Sequence, residues 1–171
     1  MRGRDRIRAQ HIEREAEGYL ELGMPEHALE VLQRLGGISD YTPHALCLAG
    51  EACRDRKQYA QALTYLEPAA QADPENIRIR LAMAWCHKRT GQLAQAIRDM
   101  ETALEYEPEE AILHYNLACY LSLAGEKARA LEHLSRALAL DADYRNLIDS
   151  EPDFDPIRSD PDFQALTSAM A

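Results

Sequence analysis

The stretch Thr90-Gly-Gln-Leu-Ala-Gln-Ala-Ile97 decides the fold, because its pattern of turn, small and apolar residues recurs along the chain at intervals of 34 residues. It combines a glycine turn with the start of a helix, in which Ala96 is a small residue on the apolar side. Four ladders keep this spacing: Ala28, Ala62, Ala96 and Ala130; Ala16, Gly50, Ala84 and Ala118; Leu32, Leu66, Met100 and Leu134; and Leu35, Ala69, Ala103 and Ala137. A period near 34 is typical of helix-turn-helix solenoids, whose units bury their apolar faces by stacking on one another.

The repeated pattern resembles the tetratricopeptide repeat (TPR) family. The turn glycine of that family is matched by Gly23, Gly91 and Gly125, with Lys57 as the exception. The proline between repeats is matched by Pro74 and Pro108. The tryptophan of the family's first helix is absent, and its place is taken by Ile12, Leu46, Arg80 and His114.

The resemblance implies an all-α fold, a right-handed α-solenoid of four TPR helix-turn-helix repeats with short C-terminal capping helices. We interpret residues 1–8 as an extension of the first helix, 9–144 as the TPR array and 145–171 as a capping tail. The predicted repeats are 9–42, 43–76, 77–110 and 111–144. We call the first helix of each repeat the A helix and the second the B helix.

The tail repeats the dipeptide Asp-Pro, which favours a helix cap followed by a first helical turn. Its apolar anchors are Phe154, Ile157, Phe163 and Leu166. We predict a lid that covers the apolar face of the fourth repeat. The alternative is an acidic docking strip formed by Asp153, Asp155, Asp160 and Asp162.

Composition excludes several classes of function. A net charge of −10 argues against the phosphate contacts of nucleic-acid binding and against anionic membrane surfaces. The sequence has no apolar run long enough to span a bilayer, and the basic start lacks the apolar core of a secretory signal. Four cysteines without a C-x-x-C pair are typical of reduced thiols. We therefore predict a cytoplasmic protein, of bacterial type, with no nucleic-acid or membrane partner.

No catalytic motif is present, so the sequence predicts a protein that is not an enzyme and has no cofactor. Cys53, Cys86 and Cys119 are 33 residues apart, one short of the repeat. Each step along a helix rotates a side chain by about 100°, so three thiols with this spacing do not converge on a metal. We predict no metal site.

In the TPR family, the A helices line a concave groove that binds peptides. Carried over by position, this resemblance implies a partner-binding groove acidic towards the N-terminus and basic, with aromatic residues, further along. The predicted site residues are Glu17, Glu51, Arg54, Arg78, Trp85, Lys88, Arg89, Tyr115 and Asn116. Trp85 is a binding hot spot or a structural residue between A helices. Arg78, Lys88 and Arg89 hold an acidic segment or form a solvated face, and Asn116 bonds a peptide backbone or its own surroundings.

We predict a non-enzymatic scaffold that binds a peptide or a partner segment in this groove. The alternative is a small acidic TPR chaperone for a secreted or aggregation-prone partner. The carboxylate clamp of chaperone cofactors is not expected, because Glu13, Glu17 and Leu48 stand where that clamp has lysine and asparagine. Formation of a homo-oligomer stays open.

Overall fold

The structure, a computed structural model, describes residues 3–168, and within that range the regular elements are all helical. The α-helices are α1 (Gly3–Glu21), α2 (Pro25–Leu32), α3 (Pro43–Asp55), α4 (Tyr59–Ala72), α5 (Ile77–Arg89), α6 (Leu93–Tyr106), α7 (Ala111–Leu123), α8 (Lys127–Leu140), α9 (Arg145–Ile148) and α10 (Pro161–Ser168). A six-residue 3-10 helix, Pro152–Ile157, lies between α9 and α10. The predicted all-α class is confirmed. Of the predicted terminal segments, residues 1, 2 and 169–171 lie outside the described residues.

A polar side chain caps the start of the A helices α3 and α5. The Thr42 hydroxyl accepts the Ala45 N–H at 3.1 Å, with Pro43 in the first turn of α3. α5 begins at Ile77, the first residue of the third predicted repeat, with Asn76 as its cap. The Asn76 side chain accepts two backbone N–H groups, which leaves Pro74 in the preceding turn. As a result α3, α5 and α7 begin 34 residues apart.

The turn between the A and B helices uses a left-handed residue at the predicted place. The backbone φ is +69° at Gly23, +61° at Lys57, +78° at Gly91 and +78° at Gly125. Glycine adopts this conformation without steric cost, and it is the usual residue after a helix end. Lys57 therefore departs from the family pattern in residue type but keeps its backbone geometry.

The chain divides into two compact units, residues 1–90 and 91–171. In unit 1, helices α1 to α5 pack in sequence, and α3 also contacts α1 and α5. Every ladder residue except Leu35 is buried in its own unit. Gly50 is required in its ladder because a Cβ there would lie 2.5 Å from Cγ and Cδ2 of Leu66. Small residues thus set how closely α3 approaches α4.

In unit 2, α7 packs on α8, and the Pro152–Ile157 helix packs on α7. The tail anchors Phe154, Ile157 and Phe163 are buried, and Leu166 is half-buried. Among the tail carboxylates, Asp160 lies 2.8 Å from Nζ of Lys127. The tail therefore has the contacts of a lid within its own unit.

The two units differ sharply in charge. Residues 1–90 contain 13 Lys and Arg against 13 Asp and Glu, whereas residues 91–171 contain 6 against 16. The whole net charge of −10 is therefore carried by unit 2.

Candidate functional site

The A helices of unit 1 enclose an open cleft of about 410 Å³. It lies along the first half of α1 and the N-terminal ends of α3 and α5. Its lining is mixed polar and apolar: Arg6, Ala9, Gln10, Glu13, Thr42, Pro43, His44, Cys47, Asp73, Asn76, Arg78 and Ile79. A cleft of this size accommodates one or two side chains of a bound segment.

The cleft residues follow the repeat register. Gln10, His44 and Arg78 are 34 residues apart, as are Glu13 and Cys47. The first of these register positions therefore lines the cleft from α1, α3 and α5, and the second lines it from α1 and α3.

A two-pronged ion pair joins α3 to α5 beside the cleft. Nε of Arg78 lies 2.6 Å from Oε1 of Glu51, and its Nη2 lies 2.6 Å from Oε2. The Glu51 side chain is only 8% exposed, and Glu17 on α1 lies 3.9 Å from Nη1 of the same guanidinium. Hydrogen bonding to Glu51 raises the pKa of Arg78. Arg78 was expected either to hold an acidic segment or to form part of a solvated face. In the structure its guanidinium is paired with Glu51, while 53% of its side chain stays exposed.

A second buried carboxylate faces the cleft from α1. Glu13 is 8% exposed and accepts a short hydrogen bond from the Thr42 hydroxyl. Its neighbour Cys47 is buried, and burial, followed by the charge of Glu51, raises the pKa of this thiol to about 12. Cys47 is therefore a neutral thiol at physiological pH, without the nucleophilic character of a thiolate.

Trp85 is an exposed aromatic residue on α5, with 41% of its surface accessible. Nζ of Lys88 lies 5.3 Å from the centre of its ring, within cation–π distance. Seven residues separate Arg78 from Trp85, two turns of helix, so the indole lies on the same side of α5 about 10 Å further along.

The remaining predicted cations of unit 1 have partners elsewhere. Arg54 bonds the adjacent Asp55 carboxylate at 3.0 and 3.1 Å. The Arg89 guanidinium lies 5.2 Å from the ring centre of Tyr59, on the B helix α4. Arg89 therefore faces α4, and it is less suited to ligand contact than its position in the family pattern implied.

Of the predicted site residues of unit 2, Tyr115 is buried and Asn116 is half-buried. Tyr115 is 6% exposed, between Tyr144 at 4.8 Å and Phe154 at 5.7 Å, measured between ring centres. Burial is the main cause that raises the pKa of its phenol. The Asn116 amide donates to the Ile112 carbonyl at 2.8 Å, so it bonds its own helix. The expected open groove over α7 is filled by the chain's own tail.

The structure adds no metal or membrane element in the part of the chain that it describes. Residues 3–168 contain no cluster of three or more His, Cys, Asp or Glu suited to a metal ion. All four cysteines are buried free thiols. Across the same residues, no helix combines the length and apolar character that a bilayer span requires.

Comparison with known proteins identifies the repeat. Residues 54–98 match the tetratricopeptide repeat family. A structure of MamA residues 41 to the end, from Desulfovibrio magneticus RS-1, is 19% identical, covers 94% of this chain and 90% of its own, and gives a TM-score of 0.76. YrrB, described as a TPR protein with an unusual peptide-binding site, is 20% identical, covers 79% and 70%, and gives 0.70. A MamA structure designated MSR-1 C2 is 25% identical, covers 74% and 73%, and gives 0.65.

No curated protein sequence matches the chain. The matched segment supports a tetratricopeptide repeat over residues 54–98, and the fold of the chain, an all-α solenoid, is similar to that of the TPR protein YrrB. The division of this chain into four repeats at 9–42, 43–76, 77–110 and 111–144 stays a prediction.

Sequence reasoning missed two features of the site. One is the Glu51–Arg78 pair, for which opposite charges on neighbouring A helices, 27 residues apart, were the available signal. The other is the covering of Tyr115. The signal for it was α7 itself, which is apolar on all sides and is therefore covered on more than one face.

Proposed function

We propose that the chain is a non-enzymatic scaffold and that the A-helix face of unit 1 binds an extended segment of a partner protein. The observation that carries this proposal is the open cleft between α1, α3 and α5, with the exposed Trp85 two helical turns along α5 from Arg78 of its lining. Helical repeats bind partners on surfaces formed by equivalent positions of successive repeats.

The chemistry of the face supports a segment with one polar and one apolar anchor. Gln10 and His44 offer hydrogen bonds in the cleft, and Glu13 offers a carboxylate. Trp85 offers a rigid apolar plane to a second side chain, two turns of α5 away. The similarity in fold to YrrB, which is described as having a peptide-binding site, also favours this function.

Affinity capture from the source organism with full-length variants tests the proposal. We expect Trp85→Ala, combined with Glu13→Gln, to lose a partner that the wild type retains, because both anchors are then removed. Tyr106→Ala is the matched control, since Tyr106 is an aromatic residue of similar exposure, 43%, on α6 of unit 2. A partner retained equally by all three chains, with unchanged circular dichroism, would place binding on another surface.

A further inference from the structure

The tail contains the same short helix start twice. Glu151-Pro-Asp-Phe154 and Asp160-Pro-Asp-Phe163 each place an acidic cap, a proline, an aspartate and a phenylalanine in order. The Glu151 carboxylate accepts the Asp153 N–H at 3.1 Å, and Asp160 accepts the Asp162 N–H at 2.9 Å. Each of these two helix starts ends in a buried phenylalanine. Phe154 is fully buried and Phe163 is 2% exposed, and their ring centres lie 5.6 Å apart.

The tail occupies the register that forms the cleft in unit 1. Tyr115 is the α7 residue equivalent, at 34-residue spacing, to Cys47 and Glu13 of the cleft lining. In unit 2 this position carries the edge-on contact with Phe154 and the contact with Tyr144. The same position of the repeat thus lines an open cleft in unit 1, whereas in unit 2 it is covered by a segment of the chain.

Two polar side-chain atoms of α7 are buried without a hydrogen-bond partner. They are Tyr115 Oη and Ser122 Oγ, and they lie seven residues apart on one side of α7. A buried polar group without a partner is destabilising, so the interior around α7 is not fully satisfied when the tail is closed. At its outer end the tail is held to α8 by Lys127, through Asp160 at 2.8 Å and Asp162 at 3.7 Å, on the exposed surface.

We propose that the α7 face is a second binding surface, whose resident ligand is residues 151–168 of this chain. The class of segment that it recognises is an acidic cap followed by Pro-Asp-Phe, with the aromatic ring as anchor. A partner segment of that chemistry replaces the tail, and the tail competes with it in cis. This surface is separate from the unit 1 cleft and does not rest on the function proposed for it.

A labelled synthetic peptide of residues 151–168 tests this in trans by fluorescence anisotropy. The receptor is the full chain with Phe154→Ala and Phe163→Ala, which weakens the tail in cis and leaves α7 and α8 unchanged. We expect the peptide to bind this variant at least tenfold more tightly than it binds the wild type, where the tail competes. A peptide carrying Phe154→Ala should bind the variant at least tenfold more weakly. Equal affinity for both chains, or no saturable binding to a variant that keeps its helical circular dichroism, overturns the proposal.

If the double variant does not fold, hydrogen exchange of the wild type tests whether the tail opens. A tail that opens to admit a competitor exchanges its backbone amides between 153 and 167 at least tenfold faster than the amides of α7. Equal protection of the tail and of α7 would make the tail a permanent part of the core and would overturn the proposal.

Discussion

At the scale of single residues, two glycines in A helices show opposite requirements. Nothing lies within 4 Å of the place that a Cβ would take at Gly18 in α1, whereas at Gly50 in α3 it would meet Leu66. Alanine is favoured over glycine inside a helix by about 1 kcal/mol. We expect Gly18→Ala to raise the free energy of unfolding by about 0.5–1 kcal/mol and Gly50→Ala to lower it by about 1–3 kcal/mol. Urea unfolding followed by circular dichroism checks both, and a gain from Gly50→Ala would contradict the close packing of α3 on α4.

Two histidines form a hydrogen bond between α7 and α8. Nδ1 of His114 lies 2.9 Å from Nδ1 of His133, and Nε2 of His114 lies 2.9 Å from the Pro108 carbonyl oxygen. Because a carbonyl only accepts, His114 carries its proton on Nε2, so its Nδ1 accepts from the Nδ1–H of His133.

This pair makes the stability of unit 2 depend on pH. Burial, followed by the proximity of His114, lowers the pKa of His133 from its ordinary value of 6.5; Arg129 adds to this effect, and Glu132 and Glu101 oppose it. A pKa lowered by folding means that the unfolded chain binds more protons. The stabilisation is therefore present above about pH 6.5 and is lost as the pH falls through the lower pKa of the folded state.

We expect the melting temperature to fall less in His133→Gln than in the wild type between about pH 7.5 and pH 5.5, because the titrating pair is then absent. His11→Gln is the control, since His11 is exposed on α1 in unit 1. Scanning calorimetry at both pH values measures the difference. An identical pH dependence in the His133 variant and the wild type would show that the pair is not responsible.

At the scale of elements, the turn between α3 and α4 has a strained residue, Lys57, and replacement by glycine would relieve the strain. Lys57 has φ +61° where the three equivalent turns have glycine. A side chain with a Cβ is disfavoured in this conformation by roughly 1 kcal/mol. We expect Lys57→Gly to raise the free energy of unfolding by about 0.5–1 kcal/mol, whereas Lys57→Ala should give no gain. Thermal unfolding of the two variants side by side tests this, and an equal rise in both would assign the effect to the lost charge instead.

Most of the elements were predictable because their causes are local and repeated. The ladder residues and the glycine turns place the long helices, since small residues are required wherever two helices approach closely. The cap of α5 was not predicted, because Asn76 and Pro74 both suit a helix start and only the packing of the chain selects between them.

The candidate site was less predictable than the helices that carry it. The repeat register indicated which positions of each A helix share a face, but not what lies over that face. Glu51 and Arg78 neutralise each other across a contact between α3 and α5, and Tyr115 is covered by residues far along the chain. Both outcomes depend on pairing between distant segments, which a single-position pattern does not specify.

At the scale of the whole molecule, the charge is concentrated in one unit. Unit 2 has 16 acidic against 6 basic residues, while unit 1 is balanced. Like charges in a compact unit repel one another, and salt screens that repulsion over a distance of about 10 Å at 0.1 M.

We therefore expect added sodium chloride to slow amide exchange in α7 and α8 while changing that of α3 and α4 little. Hydrogen exchange followed by mass spectrometry at low and high ionic strength measures both units in one sample. Faster exchange of unit 2 at high salt would show instead that ion pairs such as Arg129 with Glu101, at 2.5 Å, outweigh the repulsion.

The tail over α7 also governs how a chain of this kind grows by duplication. A further repeat joined after Leu140 would need the surface that Phe154 already fills, so it could be accommodated only by evicting the tail. A 34-residue copy inserted before Pro43 would meet helices of matching register on both sides. Packing therefore favours the insertion of a new repeat within the array over its addition after α8.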